Sequence, residues 1–132
     1  MGGVDDLDQL LKAANPVLDP DPCVFVCRQA SYGDNAEWQP IASFDEAEGL
    51  TLVLRQTIAD AAGLSYDGVF KRITLQVHSS LTAVGFTAKV TERLAAANIS
   101  ANVFAAFYHD HVFVPQEDAE RALGALRALA EH

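Results

Sequence analysis

The chain has 132 residues, half of them apolar, with eighteen acidic against nine basic side chains and a formal charge of −9. That length buries one ordinary core or two small ones sharing an interface, and the apolar share excludes a disordered chain. The negative balance repels phosphate backbones and anionic lipid surfaces, so neither nucleic acid nor a membrane is an expected partner.

No run of about 18 apolar residues is present, so no segment reads as a membrane-spanning helix. The start MGGVDDLDQ is acidic where a signal peptide would be basic and then apolar. A cytoplasmic location is expected on that ground. The two cysteines stand in the run CVFVC. On a strand, Cys23 and Cys27 would share a face about 13 Å apart, beyond disulfide reach, so both read as small buried hydrophobes.

In chain order, Leu7, Leu10, Leu11 and Ala14 follow Asp5, Asp6 and Asp8 at helical spacing, and the acidic residues suit the positive helix start. Residues 15–22, NPVLDPDP, read as a proline-punctuated connection, and Cys23 to Gln29 as a strand. Residues 30–40 contain Gly33, Asp34 and Asn35 and read as a loop or wide hairpin. Ile41 to Phe44 is a candidate for local pairing, and Leu50 to Arg55 is the clearest strand of this half. Thr57 is expected to cap a short helix through Ala62 that Gly63 terminates.

Residues 64–72 carry Tyr66, Val69 and Phe70 and read as a packed joint, which divides the chain into halves 1–68 and 69–132. Ile73, Leu75 and Val77 then alternate with Thr74, Gln76 and His78 as in a half-buried strand. A polar stretch with Ser79, Ser80 and Thr82 leads into a helix whose apolar side includes Val84, Ala88, Val90 and Leu94. Asn98 ends that helix. Ile99 to Phe107 is expected as a strand, His109 and Asp110 as a turn, and Val112 to Val114 as the antiparallel return before Pro115. Residues 116–131 form a last amphipathic helix over the sheet.

The run VGFTAKVTERLAAANISANVFAAF resembles the regulatory ACT domain, especially small free-standing bacterial ACT-like proteins and the C-terminal regulatory halves of aspartokinases. The matching positions are Val84, Gly85, Phe86 and Ala88 in a V-G-F-x-A pattern, then Ile99, Ser100 and Asn102, with Asn102 where an aspartokinase usually presents Asp. The resemblance covers residues 73–129 and extends more loosely upstream through SFDEAEGLTLVL. It implies an α+β fold: two ferredoxin-like (βαββαβ) ACT-like units in tandem, each an antiparallel sheet with helices on one face. It leaves open which unit owns the strand at residues 70–78.

The same resemblance implies a regulatory, allosteric protein that binds an amino acid or similar small ligand and acts without catalysis. The residues suit that chemistry. A helix start offers unpaired N–H groups and the positive end of the dipole, and Gly85 leaves room for a carboxylate. Ser79, Ser80 and Thr82 either donate to that anion or cap the helix. Asn102, bracketed with Asn98 and Ser100 at the strand start, either meets a ligand's amine and carboxylate or serves turn chemistry. The ligand set implied is thus Ser79, Ser80, Thr82, Val84, Gly85, Phe86, Asn98, Ser100 and Asn102.

His109 and His111 lack a third metal ligand at motif spacing, so they read as hairpin residues and no metal or cofactor is expected. No G-x-S-x-G, P-loop, Rossmann glycine pattern or H-E-x-x-H occurs, and His78 and Ser79 would point to opposite faces of a strand, so no catalytic residue is assigned. A homodimer is expected. The competing reading is an ACT-like dimerisation module without a ligand.

Overall fold

The computed structural model describes residues 6–76 and 84–131. The chain divides into two compact units, one continuous, Asp21–Phe70, and one split, Met1–Pro20 with Lys71–His132.

The split unit begins with helix α1, Leu7–Ala13, whose start is fixed by Asp6: its Oδ1 accepts from the Gln9 N–H at 3.2 Å. The helix buries Leu10 completely. Strand β1 follows at Pro16–Leu18. After the continuous unit the chain returns with a strand Phe70–Leu75, a helix Phe86–Ala96, two strands Asn102–Ala105 and Asp110–Pro115, and a helix Ala119–Arg127. Numbered with the continuous unit's elements below, these are β5, α3, β6, β7 and α4.

Their sheet runs β1-β5-β7-β6. This is the ferredoxin-like order, with the last strand position filled by β1 from the N-terminal end. Pro16, Val17 and Leu18 lie opposite Leu75, Thr74 and Ile73, and Asn102 to Ala105 opposite Phe113 to Asp110, both pairs antiparallel. Period-two alternation sends Ile73, Leu75, Val112 and Val114 to one face, where they meet Leu10, Phe86, Val90, Leu94, Ala122 and Leu126 of the helices. Most of these side chains are wholly excluded from solvent. The apolar spacing on each helix supplies a stripe, and one shared core results.

In the continuous unit, β2 (Cys23–Arg28), β3 (Ala42–Glu46), β4 (Gly49–Arg55) and the short helix α2 (Gln56–Ala61) follow in order. β4 lies between β3 and β2, antiparallel to both, and Phe70 pairs with Cys23 on the far side of β2. Val24, Val26, Leu50, Leu52, Leu54 and Ala59 form its core, with Trp38, Leu64, Tyr66 and Val69 packed against them.

The expected order of elements is present, with local differences. Residues 15–22 hold β1 as well as a connection, because Pro16 sits at a strand's first position, where a missing N–H costs no ladder bond. Residues 1–20 group with 71–132 and not with 21–68, since Leu10 and Ala14 are part of the split unit's core. Thr57 lies inside α2, whose N-cap position is Arg55, and no side chain caps that helix. Gly63 does end α2, at φ +69, with its N–H on the Asp60 carbonyl.

The β6–β7 turn sits at Phe107 and Tyr108, closed by the Ala106 N–H on the His109 carbonyl at 3.1 Å, and Asp110 opens β7. The last segment is α4 flanked by 3-10 turns at Gln116–Asp118 and Ala128–Glu131. Cys23 is buried, but Cys27 is exposed, as a residue on an uncovered part of its strand's face.

Candidate functional site

The corner before α3 is described from Val84 onward; Ser79, Ser80 and Thr82 lie outside the described residues. Gly85 is the N-cap of α3 and lies at φ +95, ψ −14. That backbone strains any residue with a Cβ and is what makes glycine the residue here. Space is a lesser matter: a Cβ would meet Leu7 Cδ2 at 3.4 Å, an ordinary contact. The Gly85 carbonyl accepts the first helical bond, from the Lys89 N–H at 3.0 Å, and Gly85 has no side chain of its own to cap the helix start. The N-cap residue therefore leaves the first-turn N–H groups, at the positive end of the dipole, to be satisfied by other groups. Phe86 is buried in the core and anchors the corner, while Val84 stands 84% exposed beside it.

Asn98, Ser100 and Asn102 lie at the other end of α3. Asn98 adopts φ +59 and, with the Ile99 N–H on the Leu94 carbonyl at 2.9 Å, closes the helix in a left-handed cap. Ser100 and Asn102 are exposed, and Ile99 before them is buried. Eleven helical residues separate Gly85 from this group, roughly 16 Å of rise. Within the split unit Val84, Gly85 and Phe86 are therefore not brought together with Asn98, Ser100 and Asn102.

The opposite face of the same sheet carries a polar group of which spacing singled out the hairpin residues but not Arg72, Thr74 or Asp19. Arg72 and Thr74 alternate with buried Ile73 on β5. Arg72 Nη2 donates to Asp19 Oδ2 at 3.0 Å, and Thr74 Oγ1 shares a hydrogen bond of 3.0 Å with His111 Nδ1. Burial, the Arg72 guanidinium and His109 all hold the His111 imidazole below its ordinary value of 6.5. Asp110 is pushed up from 3.8 by burial, with His109 opposing. Arg72 Nε and His109 Nδ1 are buried without a hydrogen-bond partner. The available signal was Arg72 in mid-strand, which must spend its guanidinium somewhere. Among the described residues no three His, Cys, Asp or Glu side chains come together as a metal would need.

The family description "ACT domain" matches twice, over residues 2–71 and over residues 71–128. A Vibrio cholerae protein of unknown function, described as a possible transport protein, is 46% identical over 94% of this chain and 95% of that one, with a TM-score of 0.86. The ligand-free regulatory subunit of aspartate kinase from Thermus thermophilus is 12% identical, with 89% and 98% covered and a TM-score of 0.65. The aspartate kinase of Clostridium acetobutylicum is 11% identical over 86% of this chain and 34% of its own, with a TM-score of 0.63. At those two identities the likeness is one of fold alone. No curated protein sequence matches. Two family matches that together run from residue 2 to residue 128 establish that the chain belongs to the ACT-domain family as a tandem pair.

Proposed function

We propose that this tandem ACT protein is a non-catalytic sensor that binds an amino acid or similar small zwitterion and passes the binding on as a change in packing. The observation that carries the reading is Gly85, a left-handed N-cap with no side chain of its own to cap the start of α3. Such a corner suits a carboxylate on the first-turn N–H groups. The proposed first-turn set is Ser79, Ser80, Thr82, Val84, Gly85 and Phe86. Asn98, Ser100 and Asn102 would come from a second copy, because α3 holds them too far from Gly85 in one unit. The protein then works as a homodimer, and ligand affinity that differs between two arrangements of the copies is the regulatory output.

We place the protein in the cytoplasm; among the described residues no helix is long and apolar enough to cross a membrane. The negative charge speaks against nucleic acid. One observation favours the alternative of a ligand-free dimerisation module: Val84, 84% exposed at the corner itself, offers a docking group as readily as a pocket wall.

A thermal-shift panel of the common amino acids separates the two readings, since a ligand that binds only the folded state raises the melting temperature. A sensor gives a rise with one or a few members of the panel. A flat panel leaves the dimerisation module.

A further inference from the structure

The continuous unit covers its sheet less fully than the split one. Beyond α2, six residues long, the apolar face of β2 and β4 is roofed by the connection from residue 29 to 41, whose regular structure is a single 3-10 turn, Ala36–Trp38. Under that connection lies a cavity of about 410 Å³, open on one side. Leu50 and Leu52 form its base, Ile41 a wall, and Asn35, Ser43 and Tyr32 supply its polar groups. The size suits a small organic molecule.

One polar group is oriented in advance. Arg28 Nη1 donates to Asn35 Oδ1 at 3.0 Å, and the guanidinium lies over the Trp38 ring, 4.8 Å from its centroid. A guanidinium has no acceptor, so the amide oxygen must face Arg28 and the amide N–H groups must face the other way. Asn35 lines the cavity, and those donors serve it. Ser43 adds a hydroxyl from the edge strand β3. The ligand therefore needs an acceptor oxygen on an apolar body.

Charge narrows the class further. Residues 21–70 contain eight carboxylates and two arginines, one of them Arg28. The field over this unit is negative and disfavours an anion. We infer that the cavity beneath the β2–β3 connection is a second ligand site, independent of the α3 corner. It takes a small molecule with an apolar side, a carbonyl-type acceptor and no net negative charge.

An NMR titration of the full chain with N-acetylleucinamide, which has those properties, tests this. The Asn35 side-chain amide and the backbone amides of Ser43, Leu50 and Leu52 are expected to shift on saturation. Asn35→Asp keeps an oxygen for Arg28 and removes the donors, and should weaken binding about ten-fold or more. Gly85→Asn, placed in the other unit, should leave this titration unchanged, which keeps it separate from the proposed sensor site. N-acetylleucine, the matching anion, should bind more weakly than the amide. The inference is overturned if the wild type shows no shifts at these positions, if Asn35→Asp binds equally well, or if the anion binds as tightly as the amide.

Discussion

His111 shows how one residue's surroundings set a property of the whole fold. Its imidazole is held below 6.5 in the folded state, so the unfolded chain takes up the proton first. The stability this group contributes is complete above 6.5 and is lost as pH falls through the lowered value. Asp110 runs the other way: its carboxyl, raised from 3.8, keeps its proton longer in the folded chain, so its contribution is present at low pH and lost as pH rises through the raised value. His111→Asn keeps a polar atom near Thr74 Oγ1 and removes the titration. Melting curves below pH 6.5 should fall less steeply with acid in this variant than in the wild type; parallel curves would assign the acid sensitivity elsewhere.

Gly85 makes the second residue-scale case. Because its backbone sits at φ +95, Gly85→Val should destabilise by about 1–3 kcal/mol through strain alone, whereas Gly85→Asn, tolerated in left-handed geometry, should lose less. Denaturant melts of the two variants would show the difference. The sequence placed this glycine at the helix start for the room it leaves. Only the dihedral reveals that conformation, and not space, selects it.

At the scale of elements, the sequence was most legible where apolar period and burial coincide. β4 and the last helix each carry an alternation or stripe that their cores reproduce, whereas of the stripe expected on α3 Val90 and Leu94 are buried but Val84 and Ala88 are exposed. It was least legible where local chemistry and tertiary pairing disagree. Pro16 reads as a break, yet an edge strand accepts it; His109 and Asp110 read as turn residues, yet the turn closes two residues earlier on the aromatic pair Phe107 and Tyr108. The site was legible as a helix start and a strand start, while the helix length that separates them belongs to three dimensions. α1 supplies a direct check on element energetics, since its start depends on one side-chain cap. Asp6→Ala should cost about 0.5–2 kcal/mol, and an unchanged melt would show that burial of Leu10 alone holds the helix in place.

For the whole molecule, the two ACT matches meet at residue 71, whereas the compact units take residues 1–20 out of the first half and pack them with the second. Filling the last strand position from the N-terminal end binds the two halves of the chain into one folding problem. A fragment of residues 71–132 alone would lack β1 and the Leu10 contact, and should not give a cooperative melt.

The central claim, an amino-acid site completed by two copies, is tested most directly by calorimetric titration of mixed variants. Gly85→Asn and Asn102→Ala chains are mixed after unfolding and refolded together, then titrated with whichever amino acid raises the melting temperature. Each variant alone should fail to bind. Random pairing makes half the dimers mixed, each with one intact site, so the mixture should recover about a quarter of the wild-type sites at wild-type affinity. No recovery in the mixture, or undiminished binding by either variant alone, would contradict the account.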